Sequence, residues 1–403
     1  MTIRGKAFIV GAYEHPRREI PDRSLAQIHA EVALGALADA GLSLDDVDGY
    51  FCAGDAPGFG PMSMADYLGL DKLSYVDSTE TGGSSYNVHV GHASAAIATG
   101  KCRVALVTLA GQPRAAGTRV LGGGRRPGPS GPPNPIAALA AAPESGFEGL
   151  YGPNVLGMYA LAARRHMYEF GTTSEQLAWV KVAASQHAQH NPNADLPYAV
   201  TVEDVLSSPL VADPLHRLDC CVITDGGGAV VVAAPEVAQA IGSRCVKVLG
   251  HGESPKHTMN GRPDLTFTGA AWSGPRAFAE AGVTPKDIDY ASIYDSFTIT
   301  VLETIEDLGF CEKGKGGQFV ADGGLVSPDG RLPFNTDGGG LCNNHPANRG
   351  GMTKTIEAVR QIRGEAHAAV QVRDCQIAIA HGNGGSLGTR STAATLVLGV
   401  EDA

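Results

Sequence analysis

Side chains that could do chemistry stand in two glycine-rich segments of the C-terminal part of the chain. The first segment, GGGLCNNHP from Gly338 to Pro346, contains His345 and, three residues before it, Cys342. The second segment, HGNGG, opens with His381. An imidazole titrates near neutral pH and can exchange protons with a substrate, and a thiol beside an imidazole can be activated as a nucleophile. The alternatives are structural: a histidine that holds a turn, or a small buried cysteine.

Composition limits the classes of protein to which the chain can belong. Its 403 residues predict two domains or one large two-lobed domain. Hydrophobic residues make up 43% and charged residues 18%, with no long apolar run and no N-terminal signal pattern, which favours a soluble cytoplasmic protein without a membrane span. The net charge of -11, without runs of basic residues, argues against nucleic-acid binding. Eight scattered cysteines without a CxxC pair predict reduced thiols and no metal site.

An internal repeat indicates the architecture. Residues Ala36–Tyr50 read ALADAGLSLDDVDGY and residues Ala277–Ala291 read AFAEAGVTPKDIDYA, with identity at six of fifteen positions. Each copy predicts an amphipathic helix that ends at a glycine, Gly41 or Gly282, followed by a short turn and a buried strand.

A second correspondence follows each copy. The segments Gly82–Gly111 and Gly350–Gly385 both open with glycines, continue as a helix and lead to a hydrophobic strand that begins at a cysteine. Strands that alternate with helices predict βαβ units and parallel sheets covered on both faces. We therefore predict two similar α/β halves, residues 1–240 and 241–403.

Extra material lies within the first half, over about residues 111–205. It starts with a Gly-, Pro- and Ala-rich stretch that extends from Gly111 to about Asn154 and is too long for an ordinary connection. Two helices are predicted after it, around Gly157–Gly171 and from Gln176 to His190, the second capped by a residue among Thr172–Ser174. The sequence therefore predicts an inserted lobe.

Four segments, in this order along the chain, resemble the thiolase superfamily, in particular its sterol-carrier-type thiolase and lipid-transfer-protein branch. They are the stretch from ALAARRHMYEFG to DGGGAVVV, the segment YDSFTITVLETIEDLGFCEKGKGGQFV, the segment NTDGGGLCNNHPANRGG and the terminal HGNGG. The resemblance implies a thiolase fold of two tandem βαβαβαββ halves in five layers, αβαβα, with an inserted loop lobe. It also implies a homodimer, an acyl-coenzyme A substrate and carbon–carbon bond chemistry beside the thioester.

The chain departs from the family where the family carries its nucleophile. Thiolases that form an acyl-enzyme place a cysteine at the start of a helix in the first half, where the helix dipole lowers the thiol pKa. The matching stretch here, DSTETGGSSY from Asp77 to Tyr86, has no cysteine and puts Thr79 or Glu80 in that position. An acyl-enzyme formed at this helix is therefore not expected.

For the remaining site residues the resemblance implies roles position by position. His345 matches the family's histidine before a proline, and His381 matches the position of the cysteine that moves the substrate's α-proton. Tyr294, in the segment YDSFT, replaces a family histidine or asparagine and would serve as acid, base or hydrogen-bond donor, or simply as a core residue. Asn344, with the neighbouring Asn343, is a candidate donor to the thioester oxyanion.

Backbone amides of two glycine loops, at Gly339, Gly340, Gly384 and Gly385, are predicted to assist in binding the thioester. The arginines of the extra material, at positions 114, 119, 125 and 126, could meet coenzyme A phosphates or be solvated loop charges. Apart from coenzyme A as part of the substrate, no cofactor or metal is expected.

The preferred function is retro-aldol cleavage of a β-hydroxyacyl-CoA without an acyl-enzyme, in which Tyr294 or His345 takes the hydroxyl proton and His381 reprotonates the α-carbon. One alternative is a true thiolase, an acyltransferase with a relocated nucleophile such as Cys342. Another is a non-catalytic subunit that binds acyl-CoA or lipid. The branch also implies a small companion subunit with an oligonucleotide-binding-type barrel and a zinc ribbon.

Overall fold

The computed structural model describes residues 2–116, 154–242, 245–257, 263–346, 350–386 and 390–400. Most of the Gly-, Pro- and Ala-rich stretch, with the predicted coenzyme A contacts Arg119, Arg125 and Arg126, lies outside these ranges. The strands are β1 Phe8–Glu14, β2 Gly49–Phe51, β3 Tyr75–Asp77, β4 Val104–Gly111, β5 Leu210–Ala212, β6 Leu215–His216, β7 Gly226–Ala233, β8 Val246–His257, β9 Tyr290–Ile293, β10 Ile377–Ser386 and β11 Arg390–Gly399. The helices are α1 Leu25–Ala40, α2 Pro61–Leu68, α3 Ser85–Ala98, α4 Val155–Phe170, α5 Ser174–Ala188, α6 Val202–Ser207, α7 Pro235–Ile241, α8 Ala270–Ala281, α9 Thr298–Asp307, α10 Gly316–Val320 and α11 Gly351–Arg363. None of the helices in these ranges is long and apolar enough to cross a bilayer.

The first copy of the predicted repeat and its counterpart fold alike. Helix α1 ends at Gly41 with φ 68° and helix α8 ends at Gly282 with φ 69°, both in the left-handed conformation that glycine adopts without strain. A single 3₁₀ turn follows in each copy and leads into β2 or β9. The repeat therefore fixes two equivalent helix-to-strand connections.

The second correspondence is also present, as α3 followed by β4 and α11 followed by β10. The nine main strands form a sheet in the order β3-β2-β4-β7-β1-β8-β11-β10-β9. Read outward from the β1–β8 contact, β1-β7-β4-β2 corresponds to β8-β11-β10-β9, so the duplication organises the whole sheet. The proposed boundary at residue 240 falls within α7 and stays a prediction.

The prediction of parallel sheets was only partly right. Parallel pairing joins β2 to β3, β2 to β4 and β9 to β10. The central strands pair antiparallel, β4 with β7, β7 with β1, β8 with β11 and β10 with β11. Strand β11 follows β10 in the chain and runs back beside it, whereas β7 returns antiparallel to β4 only after the lobe helices α4, α5 and α6.

Apolar side chains form three large clusters that separate the layers. One cluster joins both halves of the sheet to α3 and α11, with Tyr86, Val90, Met352 and Ile356 among its members. A second packs α1 and α2 on the outer face of the first half. A third packs α5, α8 and α9 on the outer face of the second half. Helices α3 and α11 therefore form a central layer, and the predicted five-layer arrangement is confirmed.

The two predicted lobe helices are α4 and α5. Helix α5 is capped by Thr173, whose side chain accepts from the Gln176 amide while the Gln176 side chain accepts from the Thr173 amide, a capping box. Lys181 of α5, almost fully buried, donates to the carbonyl oxygen of Leu341 at 2.7 Å. The lobe is thus tied to the glycine-rich segment that contains His345.

The end of β10 lies against the start of α3, and glycine makes this contact possible. A Cβ atom at Gly384 would collide with the carbonyl oxygen of Thr81 and lie 2.5 Å from Thr392 Oγ1. At Gly82 a Cβ atom would lie 3.1 Å from both Gly384 Cα and Gly385 N. Gly384 therefore has a packing reason for its identity, and it sets how close the two halves come at the central layer.

We predict that Gly384→Ala lowers the free energy of unfolding by about 2–3 kcal/mol, because the added methyl group meets backbone that cannot move aside cheaply. Urea denaturation followed by circular dichroism measures the change. Gly157→Ala is the matched control, since its Cβ would meet only Asn154 Oδ1 at 3.3 Å, and it should change stability by no more than about 0.5 kcal/mol. Equal stability of the two variants would contradict the packing argument.

Candidate active site

Tyr294 and His345 form a buried hydrogen-bonded pair. The distance from Tyr294 Oη to His345 Nε2 is 2.7 Å, and the rings stack with centroids 5.5 Å apart at an interplanar angle of 22°. Only 4% of Tyr294 and 2% of His345 is exposed. The structure therefore brings together two of the side chains that the sequence singled out, although 51 residues separate them.

The starts of α3 and α11 hold the tyrosine ring in place. The amide of Tyr294, just after β9, donates to the carbonyl oxygen of His381 at 2.9 Å and continues the pairing with β10. A Cβ atom at Gly83 would lie 2.9 Å from Tyr294 Cζ, and one at Gly350 would collide with Tyr294 Cε2. The ring therefore fills the space between two helix starts from which side chains are absent.

A single π-helical turn, Gly339–Asn343, leads to His345. The turn enters through Gly338 and Gly339, whose φ angles of 96° and 60° favour glycine. After the turn, the His345 amide donates to Thr224 Oγ1 at 2.8 Å, which anchors the histidine to the segment before β7. Single π-helical turns are rare in proteins, and those that do occur are often found at functional sites.

Asp295 connects the tyrosine to this turn. Its Oδ1 atom accepts from the Gly340 amide at 2.7 Å and its Oδ2 atom from the Leu341 amide at 3.1 Å. Its Oδ1 atom also lies 3.1 Å from Nζ of Lys354 on α11, and both side chains are fully buried. Sequence reasoning missed both residues. A signal was available in Lys354, a charged residue inside a helix whose neighbours Met352 and Ile356 are apolar.

The environment sets the protonation states of the pair. Burial, followed by the nearby Cys221, raises the pKa of Tyr294 well above its usual value. Burial, followed by the positive charge of Lys354, lowers the pKa of His345 to about 4. At neutral pH the phenol therefore keeps its proton while the imidazole is uncharged, and the phenol can donate to an unprotonated Nε2.

Asn344 lies beside the pair, but other protein groups engage its amide. The Nδ2 atom donates to Glu14 Oε1 at 2.9 Å, and the Oδ1 atom accepts from Thr224 Oγ1 at 2.8 Å. Asn343 donates to Asp337 Oδ2 at 2.9 Å and accepts from Arg18 Nη2 at 2.7 Å. The arrangement favours a role in holding the turn, and the predicted role of Asn344 as an oxyanion donor stays a prediction.

The four glycines that the sequence assigned to thioester binding lie in two places. The amides of Gly339 and Gly340 donate to carboxylates, to Asp337 Oδ1 at 2.9 Å and to Asp295 Oδ1 at 2.7 Å. Gly384 and Gly385 pair with β11 at the end of β10, next to the start of α3. Contact of any of them with coenzyme A stays a prediction.

His381 is buried, but its side chain lies on the other face of β10 from the Tyr294 ring. Its Nδ1 atom is 2.8 Å from Thr395 Oγ1, which in turn is 2.9 Å from Ser273 Oγ on α8. The neighbouring Gly382 faces the start of α3, where a Cβ atom would collide with Asn87 Oδ1. Because strand side chains alternate between faces, the structure does not bring His381 to the pair, and its predicted role as the α-carbon acid is not favoured by this geometry.

Comparisons with known proteins agree on one family. The model of the thiolase C-terminal domain-like family matches residues 252–400. The acetyl-CoA acetyltransferase of Methanothermobacter thermautotrophicus is 33% identical over 389 residues, which cover 94% of this chain and 97% of the relative. The 17-hydroxy-3-oxo-4-pregnene-20-carboxyl-CoA lyase of Mycobacterium tuberculosis is 34% identical and covers 90% of this chain and 92% of its own. The solved Ltp2-ChsH2(DUF35) aldolase superposes with a TM-score of 0.86 at 31% identity, over 100% of both chains.

This chain belongs to the thiolase superfamily. Within the superfamily it lies in the branch of sterol-carrier-type thiolases and steroid side-chain aldolases, as its motifs predicted. The predicted thiolase fold is confirmed, and the chain is a thiolase-superfamily enzyme, either a carbon–carbon lyase or an acyltransferase.

The thiolase nucleophile position contains no sulfur in this structure. Thr79 Oγ1 donates to Asp77 Oδ1 at 2.8 Å, and Glu80 accepts from the amides of Gly54 and Gly82, both at 2.7 Å. These contacts hold the loop before α3.

Cysteines elsewhere in this thiolase-superfamily chain are poor nucleophile candidates. Cys342 lies in the apolar cluster under α5, and its Sγ atom accepts from Lys181 Nζ at 3.1 Å. Burial raises the pKa of the Cys342 thiol despite the lowering effect of Lys181. Burial also raises the pKa of other cysteines in the described residues, namely Cys52, Cys102, Cys220, Cys221, Cys311 and Cys375.

Neither the Arg114 guanidinium nor the acidic, histidine and cysteine side chains of the described residues form an evident site for a phosphate or a metal ion. Arg114, a candidate for coenzyme A phosphates, makes a two-point ion pair with Asp195 at 2.8 and 2.9 Å, so its guanidinium already has a partner. Within the described ranges, no group of three or more His, Cys, Asp or Glu side chains is arranged to hold a metal ion.

We predict that His381→Gln makes stability less sensitive to acid. Burial lowers the pKa of His381 to about 4 in the folded protein, from 6.5 when exposed, so between pH 6.5 and 4 only the unfolded chain takes up this proton. The wild-type protein should therefore lose up to about 3 kcal/mol relative to the variant as the pH falls through this window. Urea denaturation at pH 7.5, 6.0 and 4.5 measures the difference, which should be constant above pH 7. A difference that does not change with pH would show that the imidazole is readily protonated in the fold.

Proposed function

We propose that this chain catalyses retro-aldol cleavage of a β-hydroxyacyl-CoA without forming an acyl-enzyme. The observation that carries the proposal is the 2.7 Å hydrogen bond between Tyr294 and His345, with the tyrosine ring packed on Gly83 near the start of α3. In thiolases that form an acyl-enzyme this helix start carries the cysteine. Here a proton-transfer pair occupies the neighbourhood in which the sulfur is missing.

The pair can carry the chemistry with a balanced proton inventory. Tyr294 takes the β-hydroxyl proton as its own proton passes to His345 Nε2. The β-carbon becomes a carbonyl, the Cα–Cβ bond breaks, and its electron pair remains on Cα as a thioester enolate. The proton then returns through Tyr294 to Cα, which gives a shortened acyl-CoA and a ketone or aldehyde. Neither residue changes its protonation state over the full cycle.

The acyl group and the companion subunit are proposed from the relatives. The Mycobacterium lyase is named for a steroid carboxyl-CoA with a 17-hydroxy group, which supports a bulky β-hydroxyacyl-CoA as substrate. The neighbouring aldolase structure is named for two components, Ltp2 and ChsH2(DUF35). We infer that this chain also works with a small companion subunit, of the predicted barrel and zinc-ribbon type, and as a homodimer.

A second candidate is an acyltransferase that uses Cys342 and free coenzyme A. It is favoured by the 33% identity to an acetyl-CoA acetyltransferase over nearly the whole chain. The raised pKa of the Cys342 thiol opposes it, because the thiolate is the nucleophilic form.

The first test compares two substrates. The protein, with and without a ChsH2-type companion, is incubated with a steroid β-hydroxyacyl-CoA, or with a β-ketoacyl-CoA plus free coenzyme A, and the products are identified by mass spectrometry. We expect a ketone and a shortened acyl-CoA from the hydroxyacyl substrate alone. Two acyl-CoA products from the ketoacyl substrate would favour the acyltransferase, and no turnover of either would favour the non-catalytic alternative.

We predict that Tyr294→Phe lowers kcat by about 10²–10⁴-fold, the usual contribution of a positioned acid–base group. Tyr290→Phe, on the strand β9 that ends just before Tyr294, is the matched control. Its hydroxyl is fully buried and bonds to Thr336 at 3.1 Å, so the control loses comparable stability but should keep kcat within about threefold. Steady-state kinetics of both variants decides, and full turnover by Tyr294→Phe would end the proposal.

We predict that Cys342→Ala retains turnover of the hydroxyacyl substrate within about threefold, because no sulfur takes part in the proposed route. Loss of the buried side chain and of the Lys181 contact should lower stability by about 1–2 kcal/mol, so assays belong well below the unfolding temperature. A radiolabelled acyl group retained by the wild-type protein and lost from the variant would instead establish Cys342 as the nucleophile.

A further inference from the structure

Lys354 is a fully buried lysine whose charge is only partly satisfied. Its Nζ atom lies 3.1 Å from Asp295 Oδ1, with both side chains at 0% exposure. Among the described residues it makes no well-directed hydrogen bond, although an ammonium group has three N–H donors. Burying a charged group lowers stability unless the group is well paired and hydrogen-bonded. The incomplete pairing of Lys354 therefore indicates a role other than stabilising the fold.

That charge lies beside the imidazole of His345. A side chain added at Gly340 would lie 3.1 Å from Asp295 Oδ1 and 3.3 Å from His345 Cδ2, so the backbone of the turn alone separates carboxylate from imidazole. Lys354 approaches this carboxylate from α11. Other charged groups also lie around the turn. Glu14 ends β1 and Arg18 follows it, Asp337 precedes the turn, and Glu357 and Arg360 lie on α11.

The second buried lysine of this region shows what a purely structural lysine looks like. Lys181 of α5 contacts the same turn and donates to Leu341 O at 2.7 Å and to Cys342 Sγ at 3.1 Å. Both bonds hold the turn, one through a backbone carbonyl and one through a side-chain sulfur. Lys354 makes no such bonds, and its contact is with the carboxylate that fixes the turn.

We propose that Lys354 is a positioning residue for the carbon–carbon bond reaction, holding Asp295 against the turn and placing one positive charge beside His345. This inference rests on the proposed function of the Tyr294–His345 pair. A fixed positive charge opposes protonation of the imidazole, so it keeps His345 able to accept the Tyr294 proton in the first step and to release it in the last.

An electrostatic effect of Lys354 and Asp295 on His345 can be distinguished from a packing effect by the direction in which each variant shifts the His345 pKa. Lys354→Met removes the positive charge and leaves Asp295 unpaired, and both changes favour the imidazolium form of His345. Asp295→Asn removes the negative charge and should act in the opposite direction. We expect the pKa of His345 to rise by on the order of one pH unit in the first variant and to fall in the second.

The test measures the His345 pKa directly and then the kinetics. Protein with ¹³C-labelled histidine is titrated by NMR, with His345→Gln used to assign the resonance, and the acid limb of kcat against pH is recorded with the hydroxyacyl-CoA substrate. For Lys354→Met we expect the acid limb to move to higher pH by about one unit. At pH 7, where His345 stays unprotonated, we expect kcat to fall at least tenfold with KM changed less than threefold, because Asp295 no longer holds the turn in place.

Lys181→Met is the matched control, because it removes a buried lysine from the same turn. It should lose stability but leave the His345 pKa where the wild-type protein has it. An unchanged His345 pKa in folded Lys354→Met would overturn the proposal, as would an equal shift in Lys181→Met. The NMR titration needs no substrate, so a shifted pKa in a protein without aldolase activity would leave this inference standing and reject the proposed function alone.

Where Lys354→Met does not fold, the double variant Lys354→Met/Asp295→Asn replaces the ion pair by neutral groups of similar size, an exchange that buried pairs commonly tolerate. Its His345 pKa should lie between those of the Asp295→Asn variant and of a protein with Asp295 unpaired. A pKa in the double variant equal to that of Asp295→Asn would show that Lys354 has no electrostatic effect on the imidazole.

Discussion

The burial of the Asp295 carboxylate is the constraint on which the site depends. A carboxylate without water must be compensated, and here the compensation comes from two backbone amides of the turn and from Lys354 of α11. These partners come from two segments, the turn before His345 and α11, and the carboxylate itself follows β9. Satisfying the one carboxylate therefore fixes the end of β9, the turn before His345 and the first part of α11 relative to each other, and Tyr294, the residue next to Asp295, is placed as a consequence.

The duplicated fold supplies the space that this arrangement needs. Helices α3 and α11 form the central layer and begin at equivalent places in the two halves, so their starts meet near the ends of β9 and β10. An aromatic ring fits between two helix starts only where side chains are absent, and Gly83 and Gly350 leave that space. Tyr294 and the two glycines thus depend on each other, and a larger residue at either glycine would displace the ring from His345.

Features of the fold and of the site could be predicted from the sequence where the contacting residues are close together along the chain. The repeat and the caps at Gly41 and Gly282 are local patterns, and they predicted the two equivalent helix-to-strand connections that the structure contains. The role predicted for His381 stays a prediction that this geometry does not favour, because a motif gives the position of a residue in a strand, whereas strand pairing decides which face its side chain takes. Lys354 and Asp295 were missed because an ion pair between residues 59 positions apart leaves no spacing pattern in one sequence.

The environment that disfavours a thiol nucleophile also keeps Tyr294 and His345 uncharged in the resting protein. A cysteine nucleophile requires a thiolate, and commonly an imidazolium beside it, so the site must stabilise separated charges. Here burial raises the pKa of Cys342 and lowers that of His345, which works against both halves of such an ion pair. In the proposed route His345 becomes an imidazolium only while the substrate carries the negative charge of the enolate, and both charges disappear when the proton returns to the α-carbon. The absence of a cysteine from the stretch before α3 and the burial of the Tyr294–His345 pair are therefore both compatible with the proposed route, which needs no thiolate.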